Sequence, residues 1–224
     1  MIINSTISLP GDKSISHRSI MLASIASGVS CITNLNDGED LQSTIKAMQS
    51  CGVSIEKEGD TILVTGSTLE NPIEPIDCGN SGTTSRLLTG LLSSQHLSFS
   101  LIGDASLSKR PMNRVITPLT EMGCTIRSND GLLPLHIDAS NGLDRINYKM
   151  PIASAQVKSA ILLAGLGSKD SCLVTELKHS RDHTEIMLKS MGADIKVDGD
   201  NIEVNPLSSA LQSFTMDIPA DPSS

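Results

Sequence analysis

The sequence predicts an α/β domain in which three β-α-β-α-β-β repeats place three buried helices in the centre and sheets outside. Three similar segments each read as an amphipathic helix, a glycine and two short strands joined by a polar turn. The glycines after these helices, Gly52, Gly123 and Gly192, are 71 and 69 residues apart. Another helix precedes each segment and is apolar nearly all round, which is typical of a buried helix. The three segments begin at Leu41, Met112 and His183.

The elements follow one order in each repeat. A short apolar strand comes first, then the apolar helix, and then a second strand. The apolar helices are SHRSIMLASIASG, TTSRLLTGLLSSQ and AQVKSAILLAGLGS, and the strands after them are VSCITNL, LSFSLIG and SCLVTEL. The amphipathic helix and a hairpin complete the repeat, and the hairpin turns EGD, NDG and DGD contain the residues that such turns prefer.

The overall composition excludes several classes of protein. The 224 residues carry a formal net charge of −8 and show no basic stripe, so no nucleic-acid partner is expected. No apolar run has the length of a transmembrane helix, and the N-terminal residues lack a secretory signal, so no membrane partner is expected. Five dispersed cysteines without a CxxC pair are typical of reduced thiols, and we therefore expect a cytoplasmic protein.

Three cations recur at corresponding places in the apolar helices: Arg18, Arg86 and Lys158. If the three buried helices run side by side, their N-terminal ends converge and gather helix dipoles, free N–H groups and these cations. A helix N-terminus carries about half a positive charge and suits phosphate or carboxylate. The pattern predicts an anion site, where several charge-assisted hydrogen bonds could bind a small dianion with micromolar affinity, about 8 kcal/mol.

The stretch GDKSISHR is the first part of this predicted site. Lys13 and Ser14 lie in the first helical turn, and Arg18 follows one turn after Ser14 on nearly the same face. Arginine can hold a carboxylate with two hydrogen bonds, whereas lysine offers a compact charge to a phosphate. The alternative is that Asp12 and Ser14 merely cap the helix, while Lys13 and Arg18 are solvated.

Two further helix entrances and two loops carry residues of the same kind. The stretch GNSGTTSRLL offers small residues and hydroxyls, although a flexible turn with a helix cap explains it equally well. In PIASAQVKSAILL, Ser154 and Gln156 lie at the helix entrance. Arg110, which is held extended before a proline, and Arg181 lie on loops. His179 and the histidine four residues later have the spacing of a metal pair, but no third ligand is near in sequence, so we expect no metal site.

The chain resembles the 5-enolpyruvylshikimate-3-phosphate synthase family along its whole length, in PGDKSISHRSIMLA, GNSGTTSRLL, KRPM, SAQVKSAILLAGL, HSRDHTE and IPADPSS. The resemblance implies the enolpyruvyl transferase fold, an inside-out α/β barrel with three β-α-β-α-β-β units in each of two domains. Because family members are about twice as long, it implies that residues 1–224 are the N-terminal half. Residues 11–214 would form the globular domain, and residues 1–10 and 215–224 would be strands that cross to the second domain.

The resemblance also implies a reaction. The family transfers the enolpyruvyl group of phosphoenolpyruvate to the 5-hydroxyl of shikimate 3-phosphate and releases phosphate, in the biosynthesis of aromatic amino acids. Its proton-transfer residues lie in the second half. No catalytic residue is therefore expected in this half, which would bind shikimate 3-phosphate without being catalytically complete. No cofactor is implied, and the implied partners are the two substrates and the C-terminal domain of a monomeric enzyme.

The family's substrate contacts can be carried over where its motifs match. The residues implied for shikimate 3-phosphate are Lys13, Ser14, Arg18, Ser154, Gln156, Ser180 and Arg181. The residues implied for phosphoenolpyruvate are Lys13, Gly82, Arg110 and Gln156. Ala155 stands where many relatives have a second serine, which puts one phosphate hydrogen bond in doubt. Leu87 stands where many have proline, which leaves sensitivity to the inhibitor glyphosate open, although Gly82 keeps space for it.

Two alternatives remain at the level of sequence. The sister family that acts on UDP-N-acetylglucosamine shares the fold, but it carries a reactive cysteine in the loop before its Arg-Pro pair, where this chain has Ala105. The other alternative is a non-catalytic module that only binds anions.

Overall fold

The computed structural model describes residues 9–222. Its three four-stranded sheets share the same order of strand pairing and lie around the helices. The first repeat contains α1 (Lys13–Ser24), β1 (Ala26–Ser27), β2 (Val29–Thr33), α2 (Glu39–Ser50), β3 (Ser54–Glu58) and β4 (Thr61–Thr65). The second contains β5 (Ile76–Asp77), α3 (Gly82–Ser94), β6 (Ser98–Ile102), a 3₁₀ turn (Leu107–Lys109), α4 (Asn113–Glu121), β7 (Thr125–Asn129) and β8 (Leu132–Asp138). The third contains β9 (Asn147–Lys149), α5 (Ala155–Gly165), β10 (Cys172–Thr175), α6 (His183–Ser190), β11 (Ile195–Asp198) and β12 (Asn201–Val204), and β13 (Leu211–Gln212) and β14 (Thr215–Asp217) follow.

Each large sheet has one parallel strand pair and two antiparallel pairs. The strand orders are β14-β2-β4-β3, β5-β6-β8-β7 and β9-β10-β12-β11, and the first pair of each is parallel. The second and third repeats have the predicted chain order β-α-β-α-β-β. The predicted helix stops are also confirmed, since Gly52, Gly123 and Gly192 follow the second helices with φ of +88°, +100° and +92°. The three sheets are separate in residues 9–222 and do not close into one barrel.

The first sheet obtains its parallel strand from the end of the chain. Here β14 pairs with β2, with Thr215 opposite Cys31 and Asp217 opposite Thr33. The backbone N–H of Asp12 also donates to the carbonyl of Pro219 at 2.8 Å. The edge of β2 is therefore paired by a strand that follows the third repeat. The bounds 11–214 for the globular domain stay a prediction. A crossover role for residues 1–10 and 215–224 stays a prediction, and residues 1–8 and 223–224 lie outside the described residues.

The apolar helices α1, α3 and α5 form the centre of the core, as predicted. Met21, Leu91 and Ile161 are each 0% exposed. The backbones of α3 and α5 approach closely, because a Cβ placed on Gly90 would lie 2.0 Å from the carbonyl oxygen of Ala160. A residue without a side chain lets two helix backbones come into contact. No helix in the described part of the chain is long and apolar enough to cross a membrane.

A chain of buried polar groups connects α1, α2 and α3. His17 Nδ1 lies 2.7 Å from the Thr44 hydroxyl, which lies 2.7 Å from the Thr84 hydroxyl, which in turn donates to the Ser81 hydroxyl. His17 is 0% exposed, and its Nε2 has no hydrogen-bond partner among the described residues. Burial, helped by the charges of Lys13 and Arg18 and opposed by Asp40, lowers the pKa of His17 to about 4. The imidazole is therefore neutral at pH 7.

The Gly90 contact predicts a steric cost for the smallest possible side chain. We expect Gly90→Ala to lower the free energy of unfolding by at least about 2 kcal/mol, because the new methyl group forces α3 and α5 apart. Gly59→Ala in the β3–β4 turn is the matched control, since a Cβ there meets nothing within 4 Å and only its φ of +60° is unfavourable. That control should lose about 1 kcal/mol. Urea unfolding measures both values, and equal losses would contradict the close contact.

The buried imidazole predicts a dependence of stability on pH. The pKa of His17 is lower in the folded chain than the ordinary value of 6.5, so the unfolded chain takes up this proton first as pH falls. This group leaves stability unchanged above about pH 6.5, and the folded state loses stability as pH falls from there towards 4. Between pH 7.5 and 5.0 we expect a loss of about 2 kcal/mol in urea unfolding. His17→Asn should remove that part of the loss, and an unchanged pH slope in this variant would refute the assignment.

Candidate functional site

The N-terminal turns of α1, α3 and α5 meet at one end of the domain. The Gln156 Nε2 donates to the Thr83 hydroxyl at 3.0 Å, which joins the starts of α5 and α3. The Arg18 Nη2 donates to the Ser159 hydroxyl at 2.7 Å, which joins α1 to α5. The His17 chain described above joins α1 to α3. The predicted convergence of three positive helix ends is therefore present, and it concentrates partial positive charge at one place.

Arg18 is a buried cation held by neutral groups. Its side chain is 3% exposed. The Nε donates to the Thr184 hydroxyl at 2.7 Å, and the Nη1 donates to both the hydroxyl and the carbonyl of Ser14, at 2.7 and 3.0 Å. Burial lowers the pKa of Arg18 to about 10, and the charge of Glu185 partly opposes that shift, so the guanidinium remains charged at pH 7. The alternative in which Arg18 is solvated is thus wrong.

The start of α1 combines a cap with an ion pair. The Asp12 carboxylate accepts from the backbone N–H of Ile15 at 2.6 Å and caps the helix. The Lys13 ammonium forms an ion pair with Asp40 at the start of α2, and its side chain is 43% exposed. The alternative interpretation expected Asp12 to cap the helix, and this capping is present. Lys13 is paired with Asp40 and lies next to Ser14 at the convergent end.

Gly82 lies beneath two arginines at the start of α3. A Cβ on Gly82 would lie 2.6 Å from Nη1 of Arg86 and 3.5 Å from Nη1 of Arg110. Arg110 comes from the loop after the 3₁₀ turn, where its backbone is extended (φ −87°, ψ 127°) as expected before a proline, and its guanidinium donates to Asn80. The pKa of Arg86 is lowered by burial and by the charges of Arg110 and Arg114. These cations are close enough to repel one another, which favours an anion between them.

The start of α5 contributes Ser154 and Gln156. Ser154 is the N-cap, and its hydroxyl oxygen accepts from the backbone N–H of Val157 at 3.4 Å. The Gln156 Oε1 accepts from Nη1 of Arg86 at 3.2 Å while its amide nitrogen donates to Thr83, so both ends of the amide are oriented. Ser154 and Gln156 line a cavity of about 260 Å³ together with Arg86. A larger cavity of about 740 Å³, between α2 and the first sheet, is lined by other residues.

The third recurring cation does not join the site in the way its spacing suggested. Lys158 is 1% exposed and forms ion pairs with Glu176 at 2.9 Å and Glu185 at 2.6 Å. The expectation that it would offer its charge at the convergent end is therefore wrong, because two buried carboxylates neutralise it. Ser180, also predicted from the motif, donates both its N–H and its hydroxyl to Glu176. Arg181 is exposed, and its charge lowers the pKa of Arg18.

The predicted residues thus fall into connected groups. One group surrounds Arg18, the second surrounds Gly82 and Gln156, and the third surrounds Ser180. Ser159 and Thr184, the hydroxyls that hold Arg18, were not predicted from the sequence. Arg86 was predicted as a cation of the convergent end but not as a substrate contact. A usable signal was present for Ser159, because a hydroxyl inside the apolar helix AQVKSAILLAG must find a buried partner.

The arrangement suits binding of anions more than proton transfer. The groups at the convergent end are mainly guanidinium, ammonium, hydroxyl and amide groups, and the carboxylates there cap α1 (Asp12) or pair with Lys13 (Asp40). In residues 9–222 no group of three or more His, Cys, Asp or Glu side chains is placed to hold a metal ion. The chemistry that these residues offer is therefore positioning and neutralisation of negative charge.

Comparison with known proteins agrees with this geometry. A sequence model of the family EPSP synthase (3-phosphoshikimate 1-carboxyvinyltransferase) matches residues 2–224. The chain is 48% identical over 225 residues to a 3-phosphoshikimate 1-carboxyvinyltransferase of Ruthia magnifica, and 47% identical over 227 residues to that of Oceanobacillus iheyensis. These alignments cover 99% of this chain and 52% of each relative. A solved structure of EPSP synthase from Acinetobacter baumannii aligns with a TM-score of 0.91 and 42% identity, over 96% of this chain and 49% of that one.

The chain thus spans about half the length of the relatives that it matches. The match nevertheless runs through all three repeats and all three helix entrances, so it includes both the fold and the predicted anion site. On these grounds the chain belongs to the EPSP synthase (3-phosphoshikimate 1-carboxyvinyltransferase) family.

Proposed function

We propose that this chain is the substrate-binding half of an enzyme that transfers the enolpyruvyl group of phosphoenolpyruvate to the 5-hydroxyl of shikimate 3-phosphate. The observation that carries the proposal is the buried Arg18, which is held by hydroxyls and has no carboxylate in its hydrogen-bond shell within the described residues. A buried cation without a bonded anion is suited to an anionic ligand. Family membership selects which anions to consider.

Shikimate 3-phosphate is assigned to the group around Arg18. Four of the five N–H groups of this guanidinium have acceptors among the described residues, which leaves one Nη2 hydrogen for the ligand carboxylate. Ser14 lies beside it, and Ser154 and Gln156 at the start of α5 provide a hydroxyl and an amide N–H for the ligand's oxygens. The remaining residues of this assignment are Lys13, Ser180 and Arg181.

Phosphoenolpyruvate is assigned to the group around Gly82. The absence of a side chain at Gly82 makes room for the Arg86 guanidinium, which with Arg110 would place positive charge for the ligand beside the N–H groups at the start of α3. Arg110 would neutralise the ligand's negative charge, and Lys13 and Gln156 lie on the side that faces shikimate 3-phosphate. The two substrates would therefore be held next to each other, as a reaction between them needs.

The chemistry is addition followed by elimination. The 5-hydroxyl oxygen bonds to C2 of phosphoenolpyruvate while its methylene carbon gains a proton and the hydroxyl loses one. The tetrahedral intermediate then loses phosphate and a methyl proton, which restores the double bond. This half supplies positioning and positive charge, and the proton-transfer groups belong to the second half. Closure of the two halves would also exclude water.

The remaining features of the proposal concern the protein as a whole. We place it in the cytoplasm, because its five cysteines are free thiols and four of them are buried. The family resemblance further implies a monomer of two domains. The reaction needs no cofactor. Its partners are the two small substrates and the C-terminal domain of the same enzyme.

The split of the site between two halves predicts how turnover depends on the missing half. With shikimate 3-phosphate and phosphoenolpyruvate present, we expect no phosphate release above background from this chain alone, measured by a phosphate assay. Addition of the C-terminal half of the Ruthia magnifica relative should restore release. Substantial turnover by the chain alone would contradict the assignment of the proton-transfer groups to the second half.

The role of Arg18 can be tested by a binding titration. Arg18→Met should weaken shikimate 3-phosphate binding by about 10- to 100-fold, because a charge-assisted hydrogen bond contributes about 1.5–3 kcal/mol. Backbone amide chemical shifts during the titration measure the affinity and show that the fold persists. Arg145→Met is the control, since Arg145 lies on the surface with a side chain 74% exposed. Undiminished binding by Arg18→Met would remove Arg18 from the site.

A further inference from the structure

A buried cluster of three charges lies directly behind the site. The Lys158 ammonium is bonded to Glu176 at 2.9 Å and to Glu185 at 2.6 Å, and the three side chains are 1%, 2% and 5% exposed. Burial of three charges is costly unless each is paired and hydrogen-bonded. Replacement of such a cluster by apolar residues is often neutral or stabilising, so stability alone does not explain why it is present.

The cluster connects two residues assigned to shikimate 3-phosphate. On one side, Glu176 accepts the N–H and hydroxyl of Ser180, at 3.2 and 2.5 Å, while its other oxygen accepts from Lys158. On the other side, Glu185 follows Thr184, whose hydroxyl accepts from Nε of Arg18. Lys158 therefore contacts both the Ser180 loop, including the Ser180 carbonyl at 3.4 Å, and the first turn of α6.

A second connection runs parallel to the first. Ser159, next to Lys158 on α5, lies 2.7 Å from both the Thr184 hydroxyl and Nη2 of Arg18. Adjacent residues of α5 thus bond to adjacent residues of α6, and one of these two pairs, Ser159 and Thr184, also holds Arg18. The charges also alternate in sign from Arg18 through Glu185 and Lys158 to Glu176, and the Glu185 charge favours the charged form of Arg18.

We infer that Lys158 is a positioning residue for the anion site: it fixes Ser180 through Glu176, and the start of α6 with Arg18 through Glu185. It occupies the place that Arg18 and Arg86 occupy in the other repeats, but it acts on the ligand indirectly, through its two carboxylates and through the backbone carbonyl of Ser180, to which it donates at 3.4 Å. This inference rests on the proposed function, because the two residues that it positions are assigned to shikimate 3-phosphate.

The test separates positioning from simple neutralisation of buried charge. Lys158→Met alone leaves two buried carboxylates without their cation and can fail to fold. The double variant Lys158→Met, Glu176→Gln keeps the net charge, and its glutamine can still accept from Ser180. We expect the double variant to fold and to bind shikimate 3-phosphate about 10-fold more weakly by calorimetry. Wild-type affinity in the folded double variant would overturn the inference, since neutralisation would then suffice.

Two single variants serve as controls. Lys189→Met removes an exposed lysine that lines the outer cavity over the cluster, and it should leave affinity unchanged. Glu176→Gln keeps Lys158 bonded to Glu185, and it should bind more tightly than the double variant. Equal weakening in Glu176→Gln and in the double variant would assign the effect to residue 176 and would overturn a role for Lys158.

A measurement without ligand keeps this inference distinct from the proposed function. Hydrogen exchange of the Ser180 amide and of the Arg18 Nε–H reports on their positions directly. Both should exchange at least about 10-fold faster in the double variant than in the wild type or in Lys189→Met. If the wild-type chain binds no shikimate 3-phosphate, the proposed function fails. Unchanged exchange in the double variant would then overturn the positioning role, and faster exchange would support it.

Discussion

The structure depends on one constraint, which is that a positive charge is buried where three helix N-termini meet. Arg18 experiences both the cost of burial and the partial charges of the helix ends, and all of its hydrogen bonds in the described part of the chain are to neutral oxygens. A carboxylate in their place would stabilise the free protein and would compete with an anionic ligand. Hydroxyls orient the guanidinium without neutralising it, which leaves its charge available to the anionic ligand of the proposed function.

The cations at the equivalent positions of the other two repeats have different hydrogen-bond partners. Lys158 takes the place of Arg18 in the third repeat, but two buried carboxylates neutralise it. Arg86, in the second repeat, is bonded to backbone carbonyls and to the Gln156 amide. The first repeat thus supplies a charged anchor, the third supplies an internal brace in which two carboxylates hold one cation, and the second orients an amide. The fold has threefold similarity in its backbone, and the partners of each cation give the three repeats different chemical roles.

Sequence patterns predicted the parts of this arrangement that are local. Helix periodicity, the glycine stops and the apolar first helices each depend on neighbouring residues, so the repeats and the convergent ends could be inferred. The partners of Lys158 could not, because Glu176 and Glu185 lie on a loop and on a different helix, and no spacing rule identifies them. The pairing of β14 with β2 was missed for the same reason, since it joins opposite ends of the chain. The capping role of Asp12 was weighed, but its compatibility with a buried Arg18 needed the tertiary contacts.

Gln156 connects the two groups of residues that the proposed function assigns to the substrates. Its amide has four hydrogen-bonding positions, and Thr83 and Arg86 use one N–H and one lone pair. These two bonds fix which end of the amide is oxygen and which is nitrogen, and they do so from α3, the helix that carries Gly82. The bonds from α3 therefore orient the remaining N–H of Gln156. Gln156 itself lies in the first turn of α5, directly after Ser154, which is assigned to shikimate 3-phosphate. In the proposed function a single oriented amide would contact both ligands and hold them side by side, as the attack of a hydroxyl of one ligand on a carbon of the other requires.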